Sequence, residues 1–266
     1  MTGVREAFQK SIQALFPDVC GFCGKILPFS KNSSDSFFFD TLKICRHCLS
    51  VLPFRLPSQQ TFQGIKGMVA DTHFPNEPES VSFIVPFFYE GIVLSAIRRL
   101  KFQEGVFLSP ALGFFMERTL FDRKISFDLI VPIPLSQKRQ KERGYNQAAL
   151  LAEEIGKYAE KPMSENCLFR PKMTKAQAGI EDSEKRLRNM EDAFFVSEDW
   201  DVEGARILLV DDVVTTGATF YFAAQALLGA GAKTVDCVAA ASGRKGSLVG
   251  IMSMPDVPEF HVFEPS

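Results

Sequence analysis

Residues 207–219, Ile-Leu-Leu-Val-Asp-Asp-Val-Val-Thr-Thr-Gly-Ala-Thr, restrict the fold of this chain more than any other segment. An unbroken apolar run before the carboxylates reads as a strand buried on both faces, the pattern of a parallel sheet covered by helices. Two adjacent carboxylates, Asp211 and Asp212, leave its C-terminal end, where ligands bind in open α/β sheets. The spacing puts them at a solvent-facing strand end. A turn of Thr215, Thr216 and Gly217 leads into a helical stretch from Ala218. A helix start offers free N–H groups and a partial positive charge. Thr215, Thr216 and Thr219 add hydroxyl donors, and Gly217 lets a backbone come close, a combination that suits a phosphate. Carboxylates beside a phosphate cradle require hydroxyls or a metal on the near side of the ligand. Ribose 5-phosphate meets this, with its phosphate in the turn and its 2′- and 3′-hydroxyls donating to Asp211 and Asp212. The plainer alternative is a strand–turn–helix whose Asp and Thr residues only cap.

The rest of the chain supplies the sheet that such a segment needs. Strands are predicted at 81–88, 127–133, 206–210 and 234–240, and helices at 91–102, 145–157 and 218–228. The first of these helices places Ile92, Ala96 and Leu100 on one face. Gly229 and Gly231 stop the last one. Alternating strands and helices argue for an α/β fold, a parallel sheet with helices on both faces. Hydrophobic residues at 46% and charged residues at 23% match a globular chain. The formal net charge of −2 gives no global field toward nucleic acid or anionic membrane, so any such binding rests on a local patch. The most apolar stretch, 81–97, is interrupted by Glu90 and Gly91 and falls short of the roughly 20 residues that span a bilayer. No membrane insertion is expected. The N-terminal residues lack a signal-peptide pattern, and a cytoplasmic location is the expectation.

Cys20-Gly21-Phe22-Cys23 and Cys45-Arg46-His47-Cys48 form two Cys-x-x-Cys knuckles separated by residues 24–44. Four thiolates at this spacing suit tetrahedral Zn²⁺, whereas a redox dithiol needs one pair only. Cys20, Cys23, Cys45 and Cys48 are the candidate ligands, with His47 a bystander. A structural Zn²⁺ supplies folding energy that so few apolar residues do not. Binding of nucleic acid or a partner is the open alternative for this module. A Pro- and Gln-containing stretch over 53–79 reads as a linker or boundary. Residues 1–65 are therefore expected to form the zinc-binding module and linker, and 66–266 the α/β domain.

The 207–219 segment resembles the phosphoribosyl-diphosphate (PRPP) fingerprint of the type I phosphoribosyltransferases. Other residues narrow the resemblance: Tyr89, Gly91, Ile97 and Lys101, then Val131-Pro132-Ile133-Pro134-Leu135, Arg139 and Arg143-Gly144-Tyr145-Asn146-Gln147. Thr174, Gln177, Arg186, Asn189 and Phe194 follow. In that order the chain is similar to the ComF family over roughly residues 20–240. Two positions depart from the pattern. Ser136 stands where the family often has His, and 177–186 is one residue longer than the usual spacing.

The resemblance implies a type I phosphoribosyltransferase-like fold behind an N-terminal zinc-binding module, and a role in competence for DNA uptake. It implies a PRPP site built from Asp211, Asp212, Thr215, Thr216, Gly217, Ala218 and Thr219, with Pro134, Leu135, Ser136 and Arg143 on the pyrophosphate side and Mg²⁺ accompanying the ligand. Asp211 and Asp212 would also be the catalytic pair. Thr174, Gln177 and Arg186 would belong to a lid that closes over PRPP and excludes water. The charge of Lys138, Arg139, Lys141 and Arg143 suits a pyrophosphate or a nucleic-acid backbone, with a solvated charge run as the plainer reading. Three functions stay open. One is a PRPP-binding ComF protein serving DNA uptake, with single-stranded DNA and uptake proteins as partners. The others are a metabolic phosphoribosyltransferase acting on an amine or base, and a PRPP-sensing regulator. No general base is visible, so no acceptor is named.

Overall fold

The computed structural model describes residues 17–28, 37–63, 81–170, 194–215 and 217–243. In chain order its α-helices and strands begin with α1 (Arg46–Ser50), β1 (Thr61–Gln63), β2 (Val81–Ile84), β3 (Phe87–Phe88), α2 (Gly91–Leu100) and α3 (Ser109–Asp122). β4 (Leu129–Pro132), α4 (Gln137–Arg143), α5 (Gln147–Ala159), β5 (Leu168–Phe169) and β6 (Phe195–Val196) come next. β7 (Arg206–Val214), α6 (Ala218–Gly229) and β8 (Thr234–Ser242) close the described chain.

The main sheet has the order β1-β2-β8-β7-β4, with β3 also on β8. All its pairs are parallel except β1 on β2. β7 lies inside, flanked by β4 and β8, and Ile207, Leu208, Leu209 and Val210 are fully buried. This is the expected parallel α/β sheet. Two cores cover its faces. Leu208 and Val210 join Ile97, Leu112 and Leu151 from α2, α3 and α5. Ile207 and Leu209 join Phe220, Ala224 and Leu227 from α6. Alternate residues of one strand thus feed opposite layers.

Several boundaries move, each for a local reason. The strand expected over 81–88 is two strands on the same neighbour, interrupted at Val85 and Pro86. Pro86 has no N–H for the ladder, and the chain of residues 55–60 meets the gap. There Val85 N–H donates to Gln60 O at 2.9 Å and Arg55 N–H to Pro86 O at 2.8 Å. The first part of the stretch read as a linker is therefore packed against the sheet. Arg55 is buried, donating from Nε to Phe87 O at 3.2 Å and from Nη2 to Ser242 O at 3.0 Å. The helix expected over 91–102 ends at Leu100, leaving Phe102 exposed, and its buried face includes Val93 and Ile97 with Ile92 only half-buried. The strand expected over 127–133 is Leu129–Pro132. α5 starts two residues later than expected, because Asn146 caps it by accepting from Ala148 N–H at 3.1 Å. β7 and β8 run on to Val214 and Ser242, past the expected ends at 210 and 240.

The cysteine segment is not a separate bead. Cys20, Leu27, Leu42, Ile44, Cys48 and Leu52 lie in the same core as Phe87, Ile97 and Leu108. Among the described residues no helix is long and apolar enough to cross a membrane.

Candidate functional site

β4 pairs with β7 only up to Pro132, opposite Val210. Beyond that point β7 keeps β8 as its ladder partner, with Asp211 opposite Ala239 and Val213 opposite Ala241. The carboxylates therefore leave the sheet where one neighbour has ended, a crevice at the C-terminal edge. The strand loses its regular alternation there. Val210 and Val213 pack into the same core although they stand three positions apart, where regular alternation would put them on opposite faces. At the break, Asp212 N–H donates to Asp211 Oδ1 at 2.7 Å, so one carboxylate satisfies the backbone of the next. Asp211 is half-buried and Asp212 is only 7% exposed. The expectation of a solvent-facing strand end is corrected accordingly: β7 carries both residues inside its own span.

Charges meet this pair from two other elements. Lys101, the residue that ends α2, has Nζ at 3.4 Å from Asp212 Oδ2. Arg139 and Arg143 of α4 add positive potential, the first at Asp211 and the second at Asp212. Burial outweighs these cations. It pushes Asp211 up to about 7, helped by the Asp212 charge and opposed by Lys101 and Arg139. Burial also raises Asp212, against the pull of Lys101. Two neighbouring buried carboxyls titrate as one system, and burial shifts that system toward its protonated forms.

Loop 134–136 leads from β4 into α4, the helix whose Arg139 and Arg143 bear on the pair. Pro134, Leu135 and Ser136 are half-buried. The Ser136 hydroxyl caps α4 by accepting from Arg139 N–H at 3.5 Å, a role that a short oxygen-bearing side chain fills well. Gly144 ends α4 at φ +78°, a left-handed turn that favours glycine. Arg143 donates to Gln147 Oε1 and is half-buried, which holds it toward the crevice. Lys138 is exposed and lies 3.8 Å from Glu142, and Lys141 is exposed. The four basic residues thus divide into two that bear on the carboxylates and two on the outer face.

After β7 comes the turn. Thr215 is exposed, Thr216 lies outside the described residues, and Gly217 takes φ +81° as the N-cap of α6. Ala218 and Thr219 are half-buried in the first turn of that helix. Thr174, Gln177 and Arg186, expected in a lid, also lie outside the described residues. Sequence reasoning used Lys101 only as a marker of resemblance. It sits 111 positions before Asp212 and nothing in its surroundings betrays the pairing.

The second site is the cysteine cluster. The sulfurs of Cys20, Cys23, Cys45 and Cys48 all lie within 4.8 Å of one another, and Cys23 Sγ is 3.7 Å from Cys45 Sγ. Two sulfurs bound to one tetrahedral ion at about 2.3 Å stand about 3.8 Å apart, so the donor set fits. Backbone N–H groups already point at sulfur, from Cys45 to Cys20 Sγ and from Cys48 to Cys45 Sγ, both at 3.4 Å. Such contacts favour thiolates. Burial pushes Cys20 and Cys48 up. At Cys23 burial also pushes upward, but the Lys25 N–H and the neighbouring thiols bring it down to about 7. These four residues form a cluster able to hold a metal such as zinc.

With this geometry in view, relatives can be compared. The phosphoribosyl transferase domain family matches residues 170–262. Competence protein F of Haemophilus influenzae is 35% identical over 130 residues, covering 46% of this chain and 56% of that protein. Competence protein ComFC of Bacillus subtilis is 40% identical over 100 residues, 38% of each chain. The DNA utilization protein YhgH of Escherichia coli O157:H7 is 36% identical over 108 residues, 41% of this chain and 46% of its own length. Over these stretches the chain is similar to the ComF competence proteins. The matches span about half the length of these curated relatives or less. The matched domain family and the parallel sheet described above make the fold phosphoribosyltransferase-like, preceded by the four-cysteine cluster.

Proposed function

We propose that this chain is a ComF-family protein that binds PRPP at the C-terminal end of β7. The ribose hydroxyls donate to Asp211 and Asp212, and the 5-phosphate takes the turn Thr215, Thr216, Gly217, Ala218 and Thr219 at the start of α6. The C1 diphosphate, with Mg²⁺, lies toward Pro134, Leu135, Ser136 and Arg143. Thr174, Gln177 and Arg186 close over it. The observation that carries this reading is the carboxylate pair itself, held in the gap beyond β4 and faced by cations from two other elements. A buried pair of acids is costly unless something uses it, and perturbed carboxyls in a cleft mark functional sites.

In such a site Asp211 and Asp212 do two things. They hold the ribose by accepting from its hydroxyls, and their charge favours an electron-poor sugar ring as the diphosphate departs, as in glycoside cleavage. Mg²⁺ would neutralise charge on the leaving diphosphate. The acceptor is left unassigned. Calorimetry with Mg²⁺-PRPP tests the reading on wild type and on the double variant Asp211→Asn, Asp212→Asn. Each charge-assisted hydrogen bond contributes about 1.5–3 kcal/mol, so affinity falls by roughly tenfold or more. Absence of binding by wild type at millimolar ligand, or undiminished binding by the variant, ends the proposal.

The names of the relatives, competence protein and DNA utilization protein, support a role in DNA uptake. We propose that this role is carried out in the cytoplasm with single-stranded DNA as a partner. Within that role we assign the outer face of α4 to the nucleic-acid backbone. Binding of a labelled oligonucleotide should weaken with salt and drop when Lys138 and Lys141 are replaced by Gln. Binding that is absent at low salt would remove DNA as a direct ligand. Residues 1–65 serve in this reading as a module closed by structural Zn²⁺ on Cys20, Cys23, Cys45 and Cys48, with 66–266 as the phosphoribosyltransferase-like domain.

A further inference from the structure

Lys101 has no task in the reading above, yet its placement is the most constrained of the cations around the carboxylates. Its backbone closes the last turn of α2, donating to Ile97 O at 3.2 Å. The residue before it accepts from Tyr145 OH at 2.6 Å. Arg99, on the same turn, donates from Nη1 to Gly21 O of the first knuckle at 2.7 Å. The α4–α5 connection and the cysteine segment therefore hold the end of α2 from separate directions. The side chain alone is left to move. It reaches from this fixed point to Asp212, with 27% of its surface still exposed against 9% for the aspartate.

An ammonium has three donors, and a single carboxylate oxygen leaves the others to serve. The crevice also poses a charge conflict. A C1 diphosphate brought beside two carboxylates is repelled unless a cation lies between them. Mg²⁺ is one such cation, and Lys101 stands at the other place where one is needed, on the carboxylate and on the open side. From this geometry we infer that Lys101 is a diphosphate-binding residue. It stays on Asp212 and donates its remaining hydrogens to the C1 diphosphate, so that the site prefers a sugar phosphate bearing a diphosphate over one without it. The inference rests on the PRPP reading of the site and adds to it the group that selects the activated sugar.

Three probes separate the possibilities: Mg²⁺-PRPP, Mg²⁺-pyrophosphate and ribose 5-phosphate, each titrated calorimetrically into wild type, Lys101→Met and Lys101→Arg. Met keeps the length without the charge, and Arg keeps the charge. Thermal melts of the variants check that each is folded. Lys101→Met should lose tenfold or more in affinity for PRPP and for pyrophosphate, and distinctly less for ribose 5-phosphate, where only the conditioning of Asp212 is lost. Lys101→Arg should recover most of the PRPP affinity. Equal losses for ribose 5-phosphate and PRPP would overturn the assignment, because Lys101 would then only condition Asp212. Unchanged PRPP affinity in Lys101→Met would overturn it as well. A wild-type protein that binds none of the three ends both this assignment and the site reading beneath it. A wild-type protein that binds all three, with a Met variant that does not discriminate, ends the Lys101 assignment alone.

Discussion

The cysteine cluster and the aspartate pair both crowd acids together, but the chain compensates them differently. In the cluster the compensation is internal to the acids and the backbone around them: N–H groups of Cys45 and Cys48 on sulfur, and thiols on one another. Cys20 and Cys48 remain pushed up by burial. At the end of β7 the compensation comes from side chains far away in sequence, Lys101 on α2 and Arg139 and Arg143 on α4. The difference teaches what each site lacks. Four thiols without a cationic side chain among their described partners need an ion to become thiolates together, and that ion then holds the fold. Two carboxyls with only partial compensation are left for a ligand or its cation to balance.

The largest expected effect follows from the first half of this comparison. Purified protein should carry one Zn²⁺ per chain by elemental analysis. Cys45→Ser, or stripping with a strong chelator, should lower the melting temperature by about 10 °C or more, since structural zinc contributes on the order of 10 kcal/mol to small modules. The loss should spread beyond the knuckles, because Cys20, Ile44 and Cys48 share a core with Ile97 and Leu108. Amide exchange in α2 reports that spread. Metal-free protein with an unchanged melt would break the comparison, for the cluster would then stand without an ion. Protection of α2 that survives metal loss would instead confine zinc's influence to the knuckles.

The two sites also differed in how far the sequence exposed them. A knuckle is local: the spacing of Cys20, Cys23, Cys45 and Cys48 already implied convergence, and the sulfurs do converge. The strand, paired acids, turn and helix of residues 206–229 were readable for the same reason, each being set by its neighbours in sequence. Burial of Asp212 was not readable. It arises because β7 continues four residues past Val210 while β4 stops, a property of the sheet rather than of the string. The Lys101 pairing was hidden likewise, since helix periodicity places a residue on a face but does not say what that face meets. The apparent linker from Pro53 misled because its Pro and Gln content reads as a boundary while its contacts are long-range: Arg55 bonds Ser242, 187 positions away. Tertiary contacts of this kind leave no periodic trace.

The smallest effect concerns protons, and its sign differs between the free and liganded protein. Asp211 stands at about 7 in the folded chain, raised by burial and by Asp212 from an ordinary value near 3.8. The folded state therefore binds more protons than the unfolded state between those limits. The stability this confers is present below about pH 4 and is lost as pH rises through about 7. Melts of wild type and Asp211→Asn compared at pH 5 and pH 8 isolate it from other titrating groups. The variant should gain a few degrees relative to wild type at pH 8 and much less at pH 5. Ligand binding should run the other way. Ribose hydroxyls and Mg²⁺ require ionised carboxylates, so PRPP affinity should rise severalfold from pH 6 to pH 8 with proton release near neutrality, measurable by calorimetry in buffers of different ionisation enthalpy. An affinity that is flat over this range, or a variant whose advantage is the same at both pH values, would mean that the pair is already ionised in the free protein. Lys101, Arg139 and Arg143 would then compensate it fully, and the contrast with the cysteine cluster would be sharper than burial alone implies.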